Sequence, residues 1–119
     1  MPRPRLGEEA EALARGRLEA LGMRVVGANV RTTAGELDLI AWDGDVLVFV
    51  EVKGRSGAAC GLPEEAVDAR KRRRLAQAAQ AYLAGAPGPP VCRFDVVAVD
   101  LAAGGARVRH LPDAFRPGD

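Results

Sequence analysis

Apolar residues recur at nearly helical spacing through the first stretch of the chain: Leu6, Ala10, Leu13, Ala14, Leu18 and Leu21. The spacing predicts a helix from about Leu6 to Leu21. Glu8 and Glu9 fall in its first turn, where the helix dipole favours acidic groups, and Gly22 ends it. A strand is expected near Arg24 to Val30. Leu37 to Trp42 and Val46 to Val52 then form two apolar runs around Asp43-Gly44-Asp45, a strong hairpin signal. Both runs are apolar at almost every position, so helices should cover both faces of the sheet. A second helix is expected from Pro63 to Leu83, with Pro63 at its first position and Glu64 and Glu65 in its first turn. Gly85 to Pro90 ends it. The apolar run Phe94 to Val99 follows through this helical crossover and should lie parallel to Val46 to Val52. A short strand near Arg107 to Leu111 closes an edge. The order is α-β-β-β-α-β-(β), and the fold class is α/β.

The 119 residues hold no repeat and no long linker, so residues 1–119 read as one domain. A chain of this size buries roughly two-thirds of its unfolded surface, enough for one core. Residues 1–5 and 116–119, rich in proline and glycine, are expected to be flexible. No apolar run approaches the ~20 residues of a membrane helix. The first residues lead into a charged segment rather than an apolar signal core. The expectation is a cytoplasmic protein with no membrane contact. Cys60 and Cys92 form no pair motif, and with His110 they cannot close a zinc site from Cys and His alone. Two free thiols suit a reducing compartment. The net charge is +1, so affinity for phosphates has to come from local clusters.

The hairpin permits a test of register. With Asp43 and Gly44 as the turn, facing residues sum to 87. Asp38 then faces Phe49, and Glu36 faces Glu51. Glu36, Asp38, Glu51 and Lys53 all project on one side, because strands alternate faces. A three-residue loop would break this alignment. Asp38 and Glu51 become diagonal neighbours about 7–8 Å apart at the backbone. Two carboxylates at that distance can hold Mg²⁺ or Mn²⁺, with the backbone carbonyl of Val52 as a further ligand. Lys53 can orient or deprotonate an attacking water, or stabilise developing charge. Acidic residues are depleted in strands, yet Asp38 and Glu51 interrupt apolar runs. The chain has 15 arginines and two lysines, and one of the lysines is Lys53. The competing reading is a plain salt bridge at a sheet end.

Gly35-Glu36-Leu37-Asp38-Leu39-Ile40 and Phe49-Val50-Glu51-Val52-Lys53-Gly54-Arg55 resemble the YraN family of uncharacterised bacterial proteins. Further matches extend the resemblance along nearly the whole chain. They are Gly7 and Glu11, Val25 to Asn29, the helix positions Lys71, Leu75, Ala78, Ala79, Tyr82 and Leu83, then Arg93 to Val97, and Asp113 to Phe115. Leu37 stands where the wider superfamily has proline. The family looks like a branch of the restriction-endonuclease-like superfamily, close to Holliday-junction resolvases. The resemblance implies a three-layer domain with a central mixed β-sheet flanked by helices. It implies a Mg²⁺- or Mn²⁺-dependent endonuclease acting on DNA, with branched or damaged structures as candidate substrates. It places Asp38 and Glu51 on the metal, Lys53 beside them, and Glu11 as a candidate third acidic ligand. A homodimer is suggested by analogy only.

Glu36 shares the proposed face and is a further candidate ligand. Lys71 lies on the line Val67, Lys71, Leu75, Ala79 and can reach a substrate phosphate or the carboxylates; the alternative is a snorkelling surface lysine. Arg55, Lys71 and Arg74 are the candidate nucleic-acid contacts, although Arg70 to Arg74 spread over more than one helix face. Asp95 reads as structural or as a supporting partner of the site. Trp42 and Tyr82 read as packing residues, and His110 as uninvolved in catalysis. Two rival functions stay open: a non-catalytic nucleic-acid-binding or adaptor protein on the same fold, and a structural interaction domain.

Overall fold

The apolar runs become neighbouring strands of one sheet. The computed structural model describes residues 5–56, 67–102 and 104–116. Expectations placed on residues 1–4, Gly57, Cys60, Pro63 to Glu65 and residues 117–119 lie outside that set. The elements are α1 (Arg5–Ala20), β1 (Arg24–Thr32), β2 (Gly35–Asp43), β3 (Val46–Ser56), α2 (Ala69–Leu83), β4 (Cys92–Ala102) and β5 (Gly105–Phe115). The sheet runs β1-β2-β3-β4-β5, with β3 and β4 parallel and every other pair antiparallel. This is the expected α/β domain, a mixed sheet with a helix on each face.

One face of the sheet is covered by α1, and the cluster there joins Ala10, Ala14 and Leu18 to Leu39, Val48, Val50, Val97 and Val99. Leu13 and Leu21, placed on the apolar stripe by spacing, are exposed instead. The other face is covered by α2, whose Leu75, Ala78 and Ala79 meet Ile40, Leu47, Phe49, Phe94 and Val96. An aromatic column runs through this layer. Phe49 stacks on Phe94 at 5.6 Å and Phe94 on Phe115 at 4.9 Å, while Tyr82 meets the Phe49 edge at 6.0 Å. Trp42 packs against the same cluster. Both Tyr82 and Trp42 are therefore packing residues, as their sequence context suggested.

The start of α2 and the hairpin register also depart from expectation. The helix expected from Pro63 starts later, because Val67 and Asp68 are non-helical and Asp68 is the N-cap. The Asp68 side chain accepts from the Lys71 N–H at 2.9 Å, satisfying a donor that a helix start leaves open. The hairpin register also differs. Asp43 pairs with Val46 and Ile40 with Phe49, so facing residues sum to 89 rather than 87. The turn is Gly44-Asp45. Gly44 takes a positive φ of 60° at the first corner, which suits glycine in a type II′ turn. Asp43 stays in the strand, where Arg93 Nη1 reaches its Oδ2 at 2.9 Å. Continued one position past the last pair, Leu39 with Val50, this register sets Asp38 across from Glu51 rather than diagonal to it.

At the far edge, β5 is longer than the short strand expected near Arg107 to Leu111. Its register with β4 slips between Phe94 and Val96, and Asp113 adopts a positive φ of 51°. That bulge lets the strand continue past Pro112, and an edge strand tolerates a residue with no N–H.

Candidate functional site

The site begins where the hairpin comes apart. Pairing between β2 and β3 runs from Asp43 and Val46 as far as Leu39 and Val50. At the next position Asp38 substitutes its side chain for the ladder, and its Oδ2 accepts the Val52 N–H at 2.9 Å. The alternation of faces slips here too: Leu37 and Ile40 pack in one cluster and Leu39 in the other. Glu51 stands opposite Asp38 on β3 and is buried, one of the few charged groups in the interior. Burial, a hydrogen bond with Glu51 and the Glu51 charge push the Asp38 carboxyl up to about 8. The Val52 N–H and the Lys71 charge pull it the other way. Desolvation and the facing Glu51 charge thus favour the protonated form of Asp38 well above the ordinary carboxylate range.

The third partner comes from α2. Lys71 Nζ lies 2.5 Å from Glu51 Oε2, with the Glu51 side chain only 7% exposed and that of Lys71 36% exposed. Lys71 thus reaches the carboxylates, one of its two expected targets. Asp68 caps α2 by binding the backbone N–H of Lys71, and this fixes where the lysine stem leaves the helix. A cavity of about 230 Å³ opens beside the pair, lined by Gly35, Glu36, Asp38, Glu51, Lys71, Arg74 and Leu75. Two carboxylates, a further glutamate and two cations thus share one open concavity at the sheet end.

The other predicted residues fall around this centre. Lys53 follows Glu51 by two residues on β3 and so projects on the same side, but it is exposed and outside the cavity lining. Glu36 lines the cavity and pairs loosely with Arg31 at 3.7 Å. Glu11 is half-buried on α1, and its Oε1 accepts from Asn29 Nδ2 at 2.6 Å. Among the described residues, no three His, Cys, Asp or Glu side chains gather into a metal-binding group, so the acidic centre is the Asp38–Glu51 pair. Val52 gives its N–H to Asp38. In an extended strand the N–H and C=O of one residue point to the same edge, so its carbonyl also faces the gap beside β2. That donor set, hard oxygens with a backbone carbonyl, fits Mg²⁺ or Mn²⁺. On α2, Arg74 lines the cavity, while Arg72 turns inward: its Nε donates to the Val67 carbonyl and its guanidinium lies 5.8 Å from the Phe115 ring centre. Arg55 is half-buried on β3, level with Asp100 of β4.

A second polar cluster bears out the structural reading of Asp95, while its partners Arg93, His110 and Asp43 were not foreseen. Asp95 is fully buried and accepts from Arg93 Nε at 2.8 Å, Arg93 Nη2 at 3.0 Å and the Asp113 N–H at 2.9 Å. His110 Nε2 lies 2.7 Å from its Oδ2. Burial alone would raise the Asp95 carboxyl, but His110, Arg93 and the Asp113 N–H outweigh it and hold it below its usual value. Arg93 is pushed above its ordinary value, chiefly by its bond to Asp95. The cluster ties the end of β2 to β4 and β5. Its sequence signal was the odd acidic residue at the start of an apolar strand.

Fold and site together define a small α/β domain with a carboxylate pair, Glu51 buried and Asp38 half-buried, countered by lysine, at one end of a mixed sheet. The chain belongs to the uncharacterised protein family UPF0102, whose family model matches residues 10–99. That span includes Asp38, Glu51, Lys53 and Lys71. A UPF0102 protein of Symbiobacterium thermophilum is 52% identical over 113 residues, covering 93% of this chain and 96% of the relative. Relatives from Anaeromyxobacter dehalogenans (48% over 121 residues; 98% and 90%) and Halorhodospira halophila (50% over 115 residues; 97% and 89%) carry the same family name. No helix among the described residues is long and apolar enough to cross a membrane.

Proposed function

We infer that this protein is a metal-dependent endonuclease that hydrolyses phosphodiester bonds of DNA, with branched or damaged structures as its candidate substrates. The observation that carries the reading is the Asp38–Glu51 pair, two carboxylates held against each other at the rim of a cavity with cationic walls. The two carboxylates repel each other, and a divalent cation held between them would relieve that repulsion, as the Lys71 ammonium on Glu51 already does in part. Asp38, Glu51 and the Val52 carbonyl would hold Mg²⁺ or Mn²⁺. Such a cation, when bound, neutralises charge developing on the phosphate and acidifies a water. The chain's own groups do the rest. Lys53, exposed two residues beyond Glu51 on β3, is the group assigned to the attacking water or to the charge on the phosphate. Arg74, exposed at the cavity, and Arg55 offer contacts to the backbone phosphates.

A net charge of +1 gives weak attraction to duplex at large, which suits a local, structure-directed contact. The rival reading, a binding module on the same fold, predicts DNA affinity indifferent to metal. Labelled single strand, duplex, flap and four-way junction, each incubated with Mg²⁺, Mn²⁺ or chelator, separate the two. Metal-dependent cutting of any of these supports the nuclease. Binding that survives chelator without cutting refutes the nuclease for these substrates and favours the module.

A further inference from the structure

The ammonium of Lys71 sits on a carboxylate oxygen that the reading above would give to a metal ion. Its Nζ is 2.5 Å from Glu51 Oε2, on a carboxylate almost closed to water. A divalent ion such as Mg²⁺ binds a carboxylate oxygen at ~2.0–2.1 Å. Two cations on that one oxygen would stand within a few ångströms of each other, and in a partly buried site their repulsion is poorly screened. One has to leave.

Lys71 is built to be the one that moves. Its backbone is fixed by the Asp68 cap in the first turn of α2, but its stem is long, unbranched and about one-third exposed. Pivoting about that stem keeps the ammonium within the same cavity, where Arg74 lies one turn further along α2. Gly35, whose backbone takes a positive φ of 146°, lines the same concavity.

We propose that Lys71 is a resident counter-ion: it holds Glu51 in the metal-free protein, is displaced by a divalent cation, and then contacts a phosphate of the nucleic acid in the same cavity. The proposal rests on the metal-site reading and assigns Lys71 to a position distinct from that of Lys53. It makes metal and lysine competitors for Glu51, and metal and DNA cooperative partners through the released ammonium.

The test is calorimetric titration of the full chain with Mn²⁺, without DNA, for wild type, Lys71→Met and Lys71→Arg. Met keeps the apolar stem and removes the competitor, so Mn²⁺ should bind about tenfold more tightly, the scale on which groups beside a metal alter affinity. Arg holds a carboxylate with two bonds and cannot lose its charge, so Mn²⁺ should bind more weakly than to wild type. DNA affinity of the metal-loaded Lys71→Met protein should fall, with a salt slope lower by about one. Mn²⁺ affinity that is unchanged or weakened in Lys71→Met would overturn the proposal while leaving the metal site standing. Absence of Mn²⁺ binding in all three proteins would overturn both.

Discussion

Asp38→Asn is the substitution whose consequences the structure sets out most fully. The Asp38 carboxyl is raised from 3.8 to about 8 by burial, by its hydrogen bond with Glu51 and by the Glu51 charge. Between those two pH values the folded chain keeps a proton that the unfolded chain has released. Folding therefore takes up a proton, and stability falls as pH rises across the window. Each pH unit inside it costs about 1.4 kcal/mol. From about pH 5 to about pH 7 this contribution weakens the fold by roughly 2 to 3 kcal/mol, or of the order of 10 °C in Tm for a domain of this size. Asparagine carries the neutral state permanently. Its oxygen can still accept the Val52 N–H, and its amide can donate to Glu51 as the acid's proton does. The variant should match wild type near pH 5 and exceed it by about 10 °C near pH 7, read by thermal unfolding followed by circular dichroism. Parallel profiles for the two proteins across that range would show that Asp38 ionises normally and that the carboxylates are not forced together.

Other consequences follow from single contacts. Lys53→Ala removes an exposed side chain, so unfolding in urea should be unchanged within about 0.5 kcal/mol while metal-dependent cutting disappears. Asp95→Ala leaves Arg93 and His110 without their buried acceptor and should cost about 3–5 kcal/mol in the same urea assay. Because the Asp95 carboxyl is held low, its stabilising effect is present above the ordinary carboxylate value and lost in stronger acid; wild type should weaken below about pH 4. Asp68→Ala removes the α2 cap and should cost about 1 kcal/mol by the same measure.

The hydrophobic pattern was enough to find each described strand and both described helices, though not all their ends, since runs apolar on two faces leave little choice but a sheet covered on both sides. It also brought Asp38, Glu51 and Lys53 to one side of the hairpin. It failed where a single local group decides. Gly44 took the positive-φ corner, and the register moved by two residues. Asp68 capped α2 and started it late, although an aspartate three residues before Lys71 was visible in the sequence. That Lys71 meets Glu51 depends on how α2 docks on the sheet, which no spacing along the chain encodes. The Asp43–Arg93–Asp95–His110 cluster joins residues from three strands, and nothing in its spacing shows that His110 faces Asp95 across a bulge.

The central claim is that Asp38 and Glu51 hold a divalent cation that cuts DNA. The most direct measurement is cleavage of an end-labelled four-way junction and its matched duplex by purified wild type, Asp38→Asn, Glu51→Gln and Lys53→Ala with Mg²⁺ or Mn²⁺. Wild type should cut, chelator should abolish the cutting, and all three variants should lose it while remaining folded. Cutting that persists in Asp38→Asn and Glu51→Gln, or DNA left intact by wild type at every metal concentration, would contradict it.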